Sequence, residues 1–379
     1  MKRSTERILT THVGSLPRSD AVCDVLLKKE RGKGHDLAAF DRTVQGAVME
    51  TVRRQAEAGL DVVSDGETSK ITYATYIKDR VEGFGGEHTP KPHLDMAEHP
   101  DYREIYAKIR GPQLFRRTCC VGEIRPKADD SLATDLANFR TALEGVEVVE
   151  GFLNAASPGV IASFQPNRHY PSHEAYIEAL AAVMQPEYEA IVGAGFLLQV
   201  DCPDLAMSRH TGFQDLSEAE FLKRTAFHVE ALNHALRSVP REQVRIHLCW
   251  GNYEGPHTHD IALEKIVGIV LRARAGAISF EAANPRHEHE WTVWRDADAH
   301  EVVLMPGVLD TSTNYVEHPE LVAQRIERYA GVVGRERVIA STDCGFGTFA
   351  GTAQVASSIA WAKLASLVEG ARIASGRLF

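Results

Sequence analysis

No stretch of this 379-residue chain approaches the roughly 18 consecutive apolar residues that a membrane span needs. No apolar core follows the first basic residues of MKRSTERILTTHVGS, as a secretory leader would require. A cytoplasmic protein without a membrane partner is expected. Positive charge is also thin. Lys and Arg number 42 against 52 Asp and Glu, for a formal net charge of -10. No Lys/Arg run offers a stripe to a phosphate backbone, which excludes nucleic acid as a partner. Six cysteines in a chain of this size do not form a disulfide framework. Internal repeats and low-complexity linkers are absent as well, which argues against a repeat array. What remains, 44% hydrophobic and 25% charged, is the composition of a globular protein with a large core.

Short apolar runs alternate with longer amphipathic stretches. The runs cover 8–15, 61–67, 151–161, 196–202, 244–250, 277–283, 301–310 and 337–344, and the clearest helical patterns cover 37–58, 173–192, 218–236, 261–274 and 319–332. Eight strands separated by helices imply parallel pairing through right-handed crossovers. The expected fold is α/β, a single (β/α)8 TIM barrel spanning residues 1–379, with a doubly wound open sheet as the competing layout. Polar residues gather at the C-terminal ends of the runs, where a barrel collects its active-site groups. Residues 83–127, rich in Gly, Pro, His and charge, break the alternation. They are expected to be an insertion after strand 2, a lid or rim hairpin.

His247 and Cys249 stand two apart in HLCW, so on a strand both face the same side. An imidazole and a thiolate at a strand end suit a borderline-soft cation such as zinc, although the pair alone is as readily plain core. Glu281 in SFEAAN and Cys344 in STDCGFG close the sixth and eighth runs, and in a barrel these ends converge. Two thiolates, one imidazole and one carboxylate make a tetrahedral zinc site whose carboxylate can yield to a substrate ligand. Zinc would deprotonate a thiol, whose ordinary pKa is about 8.5, and so generate a nucleophile at neutral pH. His12 and Asp343 neighbour these positions, either as orienting partners or as proton-transfer groups.

HLC, FEAAN and TDCG, together with TTHVGSLPR, SDGE and LQVDCPDL, resemble the C-terminal catalytic half of cobalamin-independent methionine synthase, in the same order over nearly the whole chain. The resemblance implies zinc ligation by His247, Cys249, Glu281 and Cys344. It implies that Glu67 and Asp201 hold the amino group of homocysteine and that Ser15 meets its carboxylate. Cys202 replaces the acidic residue that usually follows the Asp. The N-terminal barrel of the full-length enzymes has no counterpart here, which leaves the donor open between a methylfolate bound in another way, a methylcorrinoid and no methyl donor at all. Short relatives of the family include epoxyalkane:coenzyme M transferases, which open an epoxide with a thiol sulfonate. Arg18, Lys70 and Arg209 are the cations that a sulfonate would engage, or else rim charges.

The expected activity is zinc-dependent methyl transfer to a small thiol, homocysteine-like or coenzyme M-like. Epoxide opening is the alternative, and a metal-free decarboxylase-like or non-catalytic barrel is the alternative of another class. Nothing in the sequence bears on oligomeric state. HTH at 257–259 and RHEHEW at 286–291 resemble metal motifs but fall past strand ends, as residues of the mouth. Adjacent Cys119 and Cys120 face opposite ways in an extended segment, which points to a structural role. GFGTF is expected to let the backbone approach the metal ligand Cys344.

Overall fold

A computed structural model describes residues 1–32, 36–111 and 114–379. Among them, eight strands alternate with helices: β1 (Leu9–Thr10), β2 (Val62–Ser64), β3 (Glu150–Ala156), β4 (Leu197–Asp201), β5 (Val244–Leu248), β6 (Ala277–Phe280), β7 (Val303–Leu309) and β8 (Ile339–Thr342). Pairing runs β1-β8-β7-β6-β5-β4-β3-β2, and every contact is parallel. This is the expected (β/α)8 barrel, with one seam between β1 and β2.

Asp61 closes that seam. Its N–H donates to Thr10 O (3.2 Å), while its carboxylate accepts from Thr10 N (2.8 Å) and Thr10 Oγ1 (3.0 Å). Arg7 grips the same carboxylate in a fork, at 2.8 and 2.5 Å. Thr11 Oγ1 adds a bond to Val62 O (3.0 Å). A side chain thus replaces ladder hydrogen bonds that these short strands do not make. Asp61→Ala strands the buried Thr10 N–H and is expected to cost about 2–3 kcal/mol. Chemical denaturation checks this, and a change within 0.5 kcal/mol (about the scatter of an ordinary surface substitution) would sink the seam argument.

The main core lies between the strands and the surrounding helices. Inside the barrel, Leu9, Ala277, Val303, Met305 and Ile339 form one small cluster and Val62, Phe152 and Leu197 another, with Met1 packed against both. Side chains fill the barrel, as its width requires.

Helices Leu37–Glu57, His173–Gly193, Glu218–Ala235, Leu263–Val270 and Pro319–Val333 match the amphipathic stretches. The apolar run at 151–161 is two elements. β3 ends at Ala156, and Ser157 then caps helix Pro158–Phe164, its Oγ accepting from Val160 N (3.0 Å). Both pieces are buried, so hydrophobicity does not mark the change. Helices Ser131–Leu143 and Ser357–Leu378 also go beyond the stretches read from sequence.

Between β2 and β3 the chain forms an antiparallel hairpin, Val81–Gly85 with Cys119–Pro126, and helices Leu94–Glu98 and Pro100–Arg110. Residues 112 and 113 of the 83–127 segment lie outside the described residues. Cys119 and Cys120 are both buried in the hairpin.

Candidate active site

Alternation along β5 turns Arg245 and His247 to the barrel interior, and Cys249 follows on the same face. Cys344 arrives from the turn after β8. Ligating atoms of His247, Cys249 and Cys344 lie within 4.8 Å of one another, and all three residues are buried. The two sulfurs are 3.9 Å apart. That excludes a disulfide, and it is close to the roughly 3.8 Å edge of a tetrahedron with metal–sulfur bonds of about 2.3 Å. Among the described residues, neither ring nitrogen of His247 has a well-formed hydrogen-bond partner. Burial lowers that imidazole to about 3, so the ring is neutral and its lone pair is available. The neighbouring Cys344 sulfur and burial push the Cys249 thiol well above its usual range. Two thiols and an orphaned imidazole at this spacing fit a zinc ion.

Glu281 is buried beside this group but outside it. Its Oε1 accepts from Trp250 N (2.8 Å) and its Oε2 from Asn284 Nδ2 (3.3 Å). The carboxylate must shift to join the other three donors. Asp343, one residue before Cys344, points its Oδ1 at the N–H groups of Ala282 (2.7 Å) and Ala283 (2.9 Å). It orients the turn that carries Glu281, and burial together with Glu281 raises its carboxyl. His12 is engaged elsewhere too. Its Nε2 pairs with Gln55 Oε1 (2.7 Å), and its Nδ1 accepts from Gly14 N (3.1 Å). Both ring nitrogens of His12 are thus engaged, while Asp343 keeps its second oxygen, Oδ2, without a partner among the described residues.

Across the cavity stand Glu67 and Asp201. Glu67 follows Gly66 in the β2 turn and holds φ at 53°, a left-handed conformation uncommon for a residue with a side chain. Burial raises its carboxyl to about 7, against Lys70 and with Asp201 adding to the rise. Burial likewise raises Asp201 to about 6, although Asn154 and Gln199 hold its oxygens. Asn154 Nδ2 donates to both of them (3.2 and 3.0 Å) and to Val13 O (2.9 Å), and Gln199 Nε2 donates to Oδ1 (2.8 Å). Gly14 is required there, since any Cβ would collide with Asn154. Ser15 lines the same cavity, and its backbone N–H reaches the Glu67 carboxylate.

The three loop cations behave differently from expectation. Lys70 Nζ donates to Asn154 O (2.6 Å) and lies 4.5 Å from the centre of the Tyr76 ring. Arg18 donates to Glu67 O (2.6 Å) and to Gly347 O. Neither lines the cavity, and neither does Arg209. Backbone carbonyls engage Arg18 and Lys70. In GFGTF, Gly345 packs against Ser15 and Gly347 against the Leu16 carbonyl, where a side chain would collide.

The cavity holds about 370 Å³. Ser15, Glu67, Asp201, His247, Cys249 and Cys344 line it, aromatic walls come from Tyr73, Phe164, Phe213 and Phe349, and the 83–127 segment contributes His88, His93, Tyr106 and Arg117. A wider depression of about 740 Å³ opens at the opposite end of the barrel and carries none of the candidate residues.

Asn154, Gln199 and Gln55 escaped the sequence reading. Amides inside strands or helices carry no spacing signal. The HTH and RHEHEW segments also gave no cavity residue of their own. His257 and His287 turn inward and share Asp260 Oδ2, at 2.8 and 2.9 Å.

A sequence model described as "Cobalamin-independent synthase, Catalytic domain" matches residues 8–366. A methionine synthase of Saccharolobus solfataricus is 24% identical over 371 residues, covering 96% of this chain and 94% of that protein. One from Sulfolobus acidocaldarius is 22% identical over 369 residues, covering 96% and 91%. In fold, the chain resembles a B12-independent methionine synthase from a Shewanella species solved with selenomethionine. That pair has a TM-score of 0.74 at 17% identity, over 98% of this chain and 99% of that one. A putative vitamin-B12 independent methionine synthase of Listeria monocytogenes follows at TM-score 0.67 and 17% identity, over 97% and 98%. Among the described residues, no helix is long and apolar enough to cross a membrane.

Proposed function

The chain belongs to the family of cobalamin-independent synthase catalytic domains, and we propose that it transfers a methyl group to the sulfur of a homocysteine-like amino-acid thiol. His247, Cys249 and Cys344 would hold a zinc ion, with Glu281 as the exchangeable fourth donor. The observation that carries this reading is the pair of sulfurs 3.9 Å apart beside an imidazole without a well-formed hydrogen-bond partner, facing two buried acids across one cavity. Zinc bound there supplies the positive charge that keeps a substrate thiol ionised at neutral pH.

The remaining work falls to the chain. Glu67 and Asp201 accept hydrogen bonds from the substrate ammonium, and the Ser15 hydroxyl donates to its carboxylate. Asn154 and Gln199 hold Asp201 in place. Tyr73, Phe164 and Phe349 exclude water from the sulfur, and the 83–127 segment forms the rim over the donor's approach. The thiolate sulfur then attacks the methyl carbon in line, and the leaving atom of the donor keeps the bonding pair.

Zinc analysis with X-ray absorption during a homocysteine titration tests this directly. A third sulfur in the metal's shell supports it. A protein that binds no zinc, or whose zinc ignores every thiol, removes it.

The acid pair adds a pH dependence. With Glu67 near 7 and Asp201 near 6, both are partly protonated in the empty site below neutrality. An ammonium favours their ionised forms, so binding releases protons. Affinity for homocysteine, relative to the same thiol without its amino group, is expected to rise from pH 5 to 8. Calorimetry in buffers of different ionisation enthalpy reads the proton count, and equal pH slopes for both thiols would contradict it. In the free protein the same two raised groups contribute most to stability below their ordinary values of about 4, and that contribution is lost as pH rises through 6 to 7.

A further inference from the structure

A second group of ligating side chains is buried beside the cavity. Asp95 comes from helix Leu94–Glu98 in the segment between β2 and β3, His210 from the loop after β4, and Asp260 from the loop after β5. Their ligating atoms lie within 4.8 Å of one another. The side chains are 0%, 0% and 2% exposed.

The hydrogen bonds around the group leave two of its acceptor atoms unpaired among the described residues. His210 Nε2 donates to Trp250 O (3.0 Å), so the neutral ring offers Nδ1 as an acceptor, and burial holds this imidazole below its ordinary pKa. That Nδ1 is 3.5 Å from Asp260 Oδ1 and 3.9 Å from Asp95 Oδ2. Among the described residues, neither His210 Nδ1 nor Asp260 Oδ1 has a hydrogen-bond partner. The other oxygens are occupied. Asp260 Oδ2 takes His257 and His287, Asp95 Oδ2 takes Tyr253 Oη (2.6 Å), and Asp95 Oδ1 takes Thr258 Oγ1 and His259 N.

Three acceptors therefore converge with no donor among them. Two of them, His210 Nδ1 and Asp260 Oδ1, lack a donor, and Asp95 Oδ2 already accepts from Tyr253; a water would pair the first two, whereas a cation would draw all three atoms together. Ligand atoms about 2.1 Å from a cation stand roughly 3.0–3.5 Å apart, so the 3.5 and 3.9 Å separations from His210 Nδ1 lie at and just beyond that range and the group must draw in to bind.

We propose that Asp95, His210 and Asp260 bind a divalent cation, separate from the centre at His247, Cys249 and Cys344, which fastens the 83–127 segment to the β4 and β5 loops. Two carboxylate oxygens and one imidazole nitrogen, without sulfur, suit manganese, cobalt or zinc over a thiophilic ion such as copper(I). Its consequence for the cavity is direct, because His93 and Tyr253, beside and bonded to Asp95, both line the wall. The Trp250 peptide joins the two centres: its carbonyl takes His210, and its N–H holds Glu281.

The test separates the sites. A Cys249→Ser, Cys344→Ser double variant is stripped with chelator, reloaded with Mn2+ or Zn2+, and its metal counted by mass spectrometry. One cation per chain is expected, falling to none when His210→Gln and Asp260→Asn are added. In cobalt-loaded protein, His210→Gln with Asp260→Asn should leave the cobalt–thiolate absorption band intact while the metal count drops by one. A second readout guards against misfolding: the double cysteine variant should gain several degrees in Tm when Mn2+ is added. No bound cation and no Tm shift in that variant would overturn the proposal, with water filling the gap. Loss of metal from the cysteine centre alone bears on the proposed activity and leaves this site standing.

Discussion

Cys344→Ser is expected to lose most of the bound zinc and to lower methyl transfer by on the order of a thousandfold or more. A serine hydroxyl does not ionise near neutral pH and is a poor zinc donor beside a thiolate. Changing residues that merely orient metal ligands costs about 10–100-fold, so removing a ligand exceeds that range. The loss should be local. Cys344 lies in the turn after β8 and makes no disulfide, so metal-free variant and metal-free parent should unfold within about 1 kcal/mol of each other. Cys23, half-exposed on helix Asp20–Glu30, provides the control, and Cys23→Ser should keep both metal and turnover. Should Cys344→Ser retain one equivalent of zinc and near-normal turnover, the paired sulfurs would be core packing and the proposed chemistry would have no centre.

The second large effect concerns the acids. Asp201→Asn and Glu67→Gln are each expected to weaken homocysteine binding about 10–100-fold, the value of one charge-assisted hydrogen bond at about 1.5–3 kcal/mol. A thiol of the same length without the amino group should bind the variants as well as the parent or better, because a buried carboxylate with no cation to face is a burden. Both residues address one ammonium, so the double variant should lose less than the sum of the two. Equilibrium titration with both thiols reads the contrast. Equal losses would move the ammonium elsewhere and make this pair structural. Asn154 and Gln199 predict a subtler outcome. They fix the direction of Asp201, so their removal should raise KM for the amino-acid thiol more than it lowers kcat.

Much of the barrel was legible because its signal is local. Each of the eight apolar runs overlaps a barrel strand, and β5 and β8 lie wholly inside 244–250 and 337–344. The same locality made His247 and Cys249 readable as one face, since residues two apart on a strand share a side whatever surrounds them. Their meeting with Cys344 followed from closure of the sheet. The contacts of other named residues could not be read in this way. Arg18 and Lys70 sit on the right loops, yet their long side chains turn back to Gly347, Glu67 and Asn154 carbonyls, and only the packed loops determine that direction. His12 and Asp343 neighbour the site in sequence, but Gln55 and the turn at Ala282 and Ala283 claim them.

The amino-acid sequence by itself determined the alternating barrel, the acidic net charge, and the residue types able to hold a soft cation, because periodicity, composition and two-residue spacing act within a few residues. Tertiary structure alone decided which donors converge. It gathers His247, Cys249 and Cys344, turns Glu281 toward Trp250, and buries Asp95, His210 and Asp260 together from one helix and two distant loops. The physical reason is that a side chain's partner in a buried site is set by competition among all the polar groups brought within reach. No stretch of sequence contains that competition.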